Sequence, residues 1–449
     1  MSDMGTIFAL ASGAGRAGVA IIRLSGPDAD PALQTLTGAG ALPAPRRAVL
    51  QRLYDPRTGE CLDSALVLRF PAPRSFTGED VVELHCHGGR AVIDAVLDAL
   101  SRLPGLRPAG PGAFSRRAFE NGRMDLTAVE GLNDLVIAET AAQRRQAQRQ
   151  MAGALGAVYE DWRERLLAAR ARLEADIDFA DEDLPEDVVD TARMILDPVR
   201  DEIAAHLADN RRGERLRAGV SIVLLGAPNA GKSSLLNALA RREAAIVSEI
   251  AGTTRDAIEV DLDLGGYKAA LVDTAGLRES ADAIESEGVR RALARAADAD
   301  LRLVLADGAY WPEMPEITRR ECRDEDLLVI AKADLRPDIL AGRQAEDRRI
   351  FAVSVRTGAG IEDLLEELER RVIALSDVGE TPAITRARHR QALEACREAL
   401  DSALTMPDGD VALRAEALRQ ATEALGRITG RVDVEDMLDH LFASFCIGK

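Results

Sequence analysis

The residues best suited to chemistry lie in the middle of the chain. Gly226-Ala-Pro-Asn-Ala-Gly231-Lys232-Ser233 follows an apolar run at 220–225 (VSIVLL) and precedes a helical stretch at 234–240 (SLLNALA). A strand, a glycine-rich loop and a helix in that order form a cradle for phosphate. The glycines turn backbone N–H groups toward phosphate oxygens, and the helix N-terminus adds partial positive charge. In such a loop Lys232 reaches the β- and γ-phosphates and the Ser233 hydroxyl binds Mg²⁺. The chain has only four lysines, at 232, 268, 332 and 449; its other basic residues are arginines. A lysine at the end of this loop is therefore informative.

Further motifs follow in order. Asp273-Thr274-Ala275-Gly276 comes after the strand-like run 267–272 (YKAALV). Asp273 suits a water-mediated Mg²⁺ contact, and Gly276 suits presentation of an N–H to a γ-phosphate. Between the two lies Ser248-Glu249-Ile250-Ala251-Gly252-Thr253-Thr254, read as a switch loop in which Thr254 completes the magnesium shell. Ala331-Lys332-Ala333-Asp334 begins on the last residue of 327–331 (LLVIA), and Ser354-Val355-Arg356 on the last residue of 350–354 (IFAVS). Asp334 can accept hydrogen bonds from the guanine N1–H and exocyclic amine, which adenine does not offer. Lys332 packs its stem along the base, and Ser354, Val355 and Arg356 close over it.

Together these motifs resemble the G domain of a translation-factor-class GTPase. In the loop itself the expected nucleotide contacts are Gly226, Asn229, Ala230, Gly231, Lys232, Ser233 and Ser234. The remaining contacts come from the other motifs just named. Two departures stand out. Ala331 occupies the place of the usual Asn, which tethers the base-binding loop to the phosphate loop, so weaker nucleotide affinity is expected. Leu277 follows the Asp-x-x-Gly motif where a Ras-like GTPase carries the water-orienting Gln. Arg278, Glu279 and Glu285 lie near enough in sequence to be considered for that work.

The elements that must position these residues can be read from periodicity. Apolar runs alternate with helical stretches through 220–373, which predicts a parallel sheet covered by helices on both faces. Residues 1–120 mix strands at 19–24, 65–70 and 81–85 with a helix over 90–103 and turns at 71–78 and 104–112, an α+β pattern. Residues 130–150 and 158–177 have helical spacing, as does 385–449. Residues 175–187 hold seven acids and no base, which reads as a solvated loop.

Composition bounds the rest. At 449 residues about three domains are expected. Apolar residues are 47% and aromatics 3%, so the cores must be aliphatic, and net charge −18 argues against a general nucleic-acid coat while leaving room for a local basic patch. Five scattered cysteines without a Cys-x-x-Cys motif suggest a reducing compartment. The N-terminal residues do not read as a leader, and no apolar run reaches the ~20 residues of a membrane span. A cytoplasmic location without membrane attachment is expected. His85-Cys86-His87 puts two histidines on one strand face, a weak zinc signature. Arg144, Arg145, Arg149 and the arginines of 211–217 are candidate nucleic-acid-facing bases, although a solvated helix face explains them as well.

Both ends of the chain narrow the family. Phe76-Thr-Gly-Glu-Asp80-Val-Val-Glu83, Pro111-Gly-Ala-Phe-Ser115-Arg-Arg-Ala-Phe119 and the terminal Phe445-Cys446-Ile-Gly-Lys449, with the inserted G domain, resemble the tRNA modification GTPase family MnmE (TrmE) over essentially the whole chain. The resemblance implies an N-terminal α+β folate-binding and dimerising domain at 1–122. It also implies a helical domain split into 123–218 and 375–449, and a Ras-like P-loop domain inserted at 219–374. It implies 5-formyl-tetrahydrofolate or a related folate held by Arg23, Glu83, Arg123 (usually Lys in the family) and Lys449, with Cys446 nearby as a possible nucleophile. It further implies K⁺, ligated by Asn229, Ser248, Ile250 and Thr253, in place of an arginine finger, with Glu285 as catalytic residue positioning water. Implied partners are a second copy of the chain, the flavoprotein MnmG in a heterotetramer, and tRNA, whose wobble uridine receives an aminomethyl-type group at carbon 5. A regulatory GTPase switch of the ribosome-assembly type, or a scaffold with a slow GTPase, would carry the same G motifs without that chemistry.

Overall fold

The computed structural model describes residues 5–13, 15–178, 188–242, 258–273, 297–336, 338, 350–407, 409–432, 435–443, 445 and 447–448. The chain forms two compact units. The first comprises Met1–Asn133, Gln150–Glu164 and Thr422–Lys449; the second comprises Asp134–Arg149 and Arg165–Ala421.

The first unit is built on β1 (Thr6–Leu10), β2 (Val19–Ser25), α1 (Ala29–Thr37), β3 (Val49–Tyr54), β4 (Cys61–Phe70), β5 (Val81–His87), α2 (Arg90–Ser101), β6 (Leu106–Pro108), α3 (Ala113–Glu120) and α4 (Leu126–Ile137). The sheet order is β3-β4-β5-β2-β1-β6, antiparallel except for β1 beside β6. Alternation sorts its faces. Ile22 and Leu24 of β2, with Val82, Leu84 and Cys86 of β5, pack under α1 and α2. The opposite register positions, Arg23 and Glu83, sit directly across the β2–β5 pair on the other face. The strands and the helix expected at 19–24, 65–70, 81–85 and 90–103 are all present. β6 and α3 fall in and just after a stretch read only as turns.

Downstream lie α5 (Ala141–Met151), α6 (Ala154–Asp178), α7 (Val188–Leu207) and α8 (Arg212–Ala218). The helical reading of 130–150 resolves into two helices. Thr140 starts α5 with reciprocal bonds: Gln143 Oε1 accepts from the amides of Glu139 and Thr140, and the Gln143 amide donates to Thr140 Oγ1 at 3.4 Å. Thr140-Ala-Ala-Gln143 is thus a capping box, a signal present in the sequence. The acidic segment is helical as far as Asp178; 179–187 lie outside the described residues.

The second sheet comprises β7 (Val220–Gly226), β8 (Ile258–Leu264), β9 (Tyr267–Asp273), β10 (Leu301–Asp307), β11 (Leu327–Ala331) and β12 (Ile350–Ala352), in the order β12-β11-β10-β7-β9-β8. Helix α9 (Lys232–Arg242) follows β7, α10 (Glu316–Glu321) precedes β11, and α11 (Ile361–Ser376) follows β12. β7 is almost wholly apolar because both faces are covered. Ile222 and Leu224 join the core under α9 and α11, while Val223 and Leu225 join the core on the opposite face. The expectation of a fully parallel sheet is corrected at one edge. β8 runs antiparallel to β9 through Gly265-Gly266, whose φ of +61° and +86° suit a two-residue hairpin.

The chain closes with α12 (Ala387–Thr405), which packs on α7, then α13 (Val411–Thr429) and α14 (Glu435–Ala443). Within the first unit Phe442 and Phe445 pack with Leu126 and Val129 of α4. Among the described residues no helix is long and apolar enough to cross a membrane.

Leu303 is fully buried on β10 in the core beneath α9 and α11. Leu303→Ala should lower the stability of the second unit by about 2–5 kcal/mol. Urea unfolding followed by circular dichroism measures this; an unchanged midpoint would show that the β10 core contributes little.

Candidate functional site

The nucleotide motifs converge on one edge of the second sheet, where β7, β9, β10 and β11 end. This is where open α/β sheets place ligands. Register brings them together: Leu224 of β7 is opposite Asp273 of β9, Gly226 is opposite Leu305 of β10, and Asp307 is opposite Ala331 of β11. Gly226 takes φ +145°, and a Cβ there would lie 2.5 Å from the Leu305 carbonyl oxygen, so only glycine lets the chain turn this close to β10.

Lys232 and Ser233 occupy the first turn of α9. The Lys232 ammonium folds back over the loop and donates to the Gly226 and Ala227 carbonyls at 2.8 and 2.9 Å. The Ser233 hydroxyl donates to Asp273 Oδ2 at 2.5 Å. These two hard oxygens are the expected Mg²⁺ pair, and Asp273 is only 1% exposed. An oxygen-only donor set, half buried at a helix N-terminus, fits Mg²⁺ with a polyphosphate.

The base-binding segment is equally organised. Ser354 Oγ donates to Asp334 Oδ1 at 2.7 Å, and Arg356 Nε donates to Asp334 Oδ2 at 2.9 Å. The Ser354 hydroxyl, and then the Arg356 guanidinium, hold the Asp334 carboxyl below its usual value. An ionised Asp334 keeps acceptor capacity for two guanine N–H donors. Lys332, at φ +56°, donates to the Asn229 carbonyl at 2.9 Å and pairs with Asp307 Oδ2 at 2.6 Å. The sequence reading did not single out Asp307. Its signal, an acid closing an apolar strand, recurs at Asp273. Ser248, Glu249, Ile250, Ala251, Gly252, Thr253, Thr254, Thr274, Ala275, Gly276 and Glu285 lie outside the described residues, so Asn229 is the one expected K⁺ ligand placed here. It is exposed, at φ +61°.

In the first unit the Arg23 guanidinium donates to Glu83 Oε1 from Nε at 3.0 Å and from Nη2 at 2.9 Å. It also lies 5.5 Å from the Phe76 ring centroid and 5.7 Å from that of Phe114, within cation–π range. Phe76 is placed by a polar network. Ser25 Oγ bonds Thr77 Oγ1 at 2.7 Å and Glu79 Oε2 at 2.6 Å, and Arg117 donates to Glu79 Oε2 at 2.8 Å and the Ser25 carbonyl at 3.0 Å. The stem of Arg123 passes over Gly78. The chain's end reaches the same region: Ile447 bridges Pro111, and the Gly448 backbone lies too close to the Leu10 carbonyl for any Cβ. Cys446 and Lys449 lie outside the described residues. A guanidinium and a carboxylate bordered by two rings suit a ligand that is flat, aromatic and anionic at one end.

Other candidates are resolved differently. His85 Nε2 faces Glu83 Oε2 at 3.3 Å and His87 Nδ1 faces Asp63 Oδ1 at 2.7 Å, so each histidine has a carboxylate neighbour. Burial pushes the Cys86 thiol up to about 12, the state of an inert core cysteine. Several arginines considered for nucleic acid have partners within the chain: Arg149 with the Gly379 carbonyl, Arg215 with Asp300 and Arg217 with Asp134.

Asp334→Asn replaces one acceptor with a donor. It should weaken guanine nucleotide binding by roughly 100-fold or more and favour a base with a carbonyl at that position, xanthine. Competition between GDP and XDP measures this; unchanged preference would remove Asp334 from base recognition.

Residues 6–123 match the family model described as GTP-binding protein TrmE N-terminus, and 126–446 match the MnmE helical domain. The chain is 56% identical over 450 residues to the tRNA modification GTPase MnmE of Parvibaculum lavamentivorans, covering 99% of this chain and 100% of that one. It is 55% identical over 456 residues to the protein of that name from Rhodospirillum rubrum, covering 99% of each. Among solved structures, the G domain of the T. maritima FeoB iron transporter is 25% identical, covering 35% of this chain and 98% of that one, with a TM-score of 0.25. Identity of this order along the whole length, over both the phosphate loop and the Arg23–Glu83 site, means that the chain belongs to the tRNA modification GTPase MnmE family.

Proposed function

We propose that the chain is a K⁺-activated GTPase that modifies tRNA. It installs an aminomethyl-type group at carbon 5 of the wobble uridine, acting as a homodimer with a flavoprotein of the MnmG kind in a heterotetramer, in the cytoplasm. The observation that carries this reading is the Arg23–Glu83 pair beside Phe76 and Phe114, on a chain that also holds the phosphate loop. A GTPase that served only as a switch has no need of such a second site.

The folate supplies the one-carbon unit when bound. Glu83, held in place by Arg23, accepts from donors at the pterin edge, so the two act at one end of the folate. Arg123, and Lys449 at the chain's end, add positive charge for its glutamate tail. The rings of Phe76 and Phe114 keep water from one side of the pair, which strengthens its electrostatics. At the nucleotide, Lys232 neutralises phosphate charge, Ser233 and Asp273 hold Mg²⁺ with Thr254, and Asp334 selects guanine. Leu277 cannot orient water, and the family resemblance gives that task to Glu285. K⁺ at Asn229, Ser248, Ile250 and Thr253 supplies the charge of an arginine finger.

Hydrolysis of GTP by the purified chain should be much faster in KCl than in NaCl at equal ionic strength. Equal rates would remove the potassium mechanism and favour a regulatory switch. Titration calorimetry with 5-formyl-tetrahydrofolate tests the other half. Arg23→Ala should weaken binding at least tenfold, since loss of a charged hydrogen-bond partner is worth about 1.5–3 kcal/mol. Absence of folate binding by the unaltered chain would overturn the folate assignment.

A further inference from the structure

Lys332 does two things at once. Its backbone takes a left-handed conformation at the mouth of the base-binding segment, and its ammonium reaches across to the Asn229 carbonyl of the phosphate loop at 2.9 Å. A lysine stem has many rotamers, and an exposed lysine held by one neutral acceptor would sample most of them. The same ammonium is fixed from the other side by Asp307 Oδ2 at 2.6 Å.

Asp307 is itself immobilised. Its Oδ1 accepts from the Ala309 amide at 3.0 Å, and its strand position is locked opposite Ala331. The next residue, Gly308, donates its amide to the Ala331 carbonyl at 2.7 Å. A Cβ on Gly308 would lie 2.6 Å from that carbonyl oxygen, so glycine permits the approach. The end of β10 is thereby pressed onto the turn that carries Lys332.

We propose that Asp307 is a positioning residue for guanine nucleotide: it orients Lys332 so that Lys332 ties the base-binding segment to the phosphate loop. Ala331 has no polar side chain for such a tie, and the Asp307–Lys332–Asn229 chain supplies it from the neighbouring position. The weakened affinity expected from Ala331 alone is thereby offset. The proposal concerns nucleotide binding only. It therefore stands or falls separately from the potassium and folate assignments.

A double-mutant cycle tests it, with GDP affinity in Mg²⁺ as the readout and the nucleotide-free unfolding midpoint as control. D307A should weaken GDP binding about tenfold, and K332M at least as much. Because Asp307 acts through Lys332, D307A/K332M should bind within about twofold of K332M alone, with the nucleotide-free midpoint little changed across the cycle. Should D307A not fold, D307N replaces it. The amide keeps an acceptor for Lys332 but loses the charge, and a loss of about threefold is expected, absent again in the K332M background. A GDP affinity unchanged by either Asp307 variant would overturn the proposal. So would losses that multiply in the double variant, which would mark Asp307 as a contributor to strand-end stability instead.

Discussion

A carboxylate that is 1% exposed, Asp273, sets the terms for the nucleotide site. Burying a charge costs several kcal/mol unless hydrogen bonds or a cation compensate. Asp273 meets this demand through Ser233, and the pairing requires β9 to end beside β7 and α9 to begin at Lys232. The parallel register that puts Leu224 opposite Asp273 is fixed by apolar runs buried on both faces of the sheet. A slip of one residue would turn Asp273 into the core and destroy the pairing. Packing of the sheet and placement of the Ser233 and Asp273 oxygens are thus one constraint.

The same economy governs the first unit. Its sheet is apolar toward α1 and α2 and carries Arg23 and Glu83 on the reverse face. Arg117, only 8% exposed, joins the loop of Thr77 and Glu79 to Ser25. A buried guanidinium with several oxygen acceptors acts as a rigid bracket, since each of its donors points in a fixed direction. Phe76–Asp80 and Phe114–Arg117 therefore support the site, and the motif that runs on from Phe76 supplies the charged pair only through its last residue, Glu83. Their contribution is the placement of Phe76 and Phe114 against Arg23.

Net charge −18 does not conflict with binding polyanions. Many of the chain's arginines are neutralised locally, as Arg215 is by Asp300, Arg217 by Asp134 and Arg390 by Asp209 and Glu214. Positive potential is left where a loop directs backbone amides and a lysine to one point, and such a local field acts over short range.

The sequence by itself determined the phosphate loop, the Lys332-x-Asp334 motif and the strand–helix alternation that gives β7 and β9–β12. These are local patterns: a strand, a turn and a helix cap require particular residues at fixed spacing. The capping box at Thr140 and the Gly265-Gly266 turn are local patterns too: the first separates α4 from α5, and the second brings β8, a strand not predicted from the sequence, antiparallel onto β9. The association of Arg23 with Glu83 rested on family resemblance, because nothing in their spacing links positions 60 residues apart. Tertiary structure alone decided that they are cross-strand neighbours, that Phe76 and Phe114 border them, that Ile447 and Gly448 return to Pro111 and Leu10, and that Asp307 meets Lys332. Each of these depends on strand order and register, which arise from burial summed over a whole sheet and so cannot be read from any one segment.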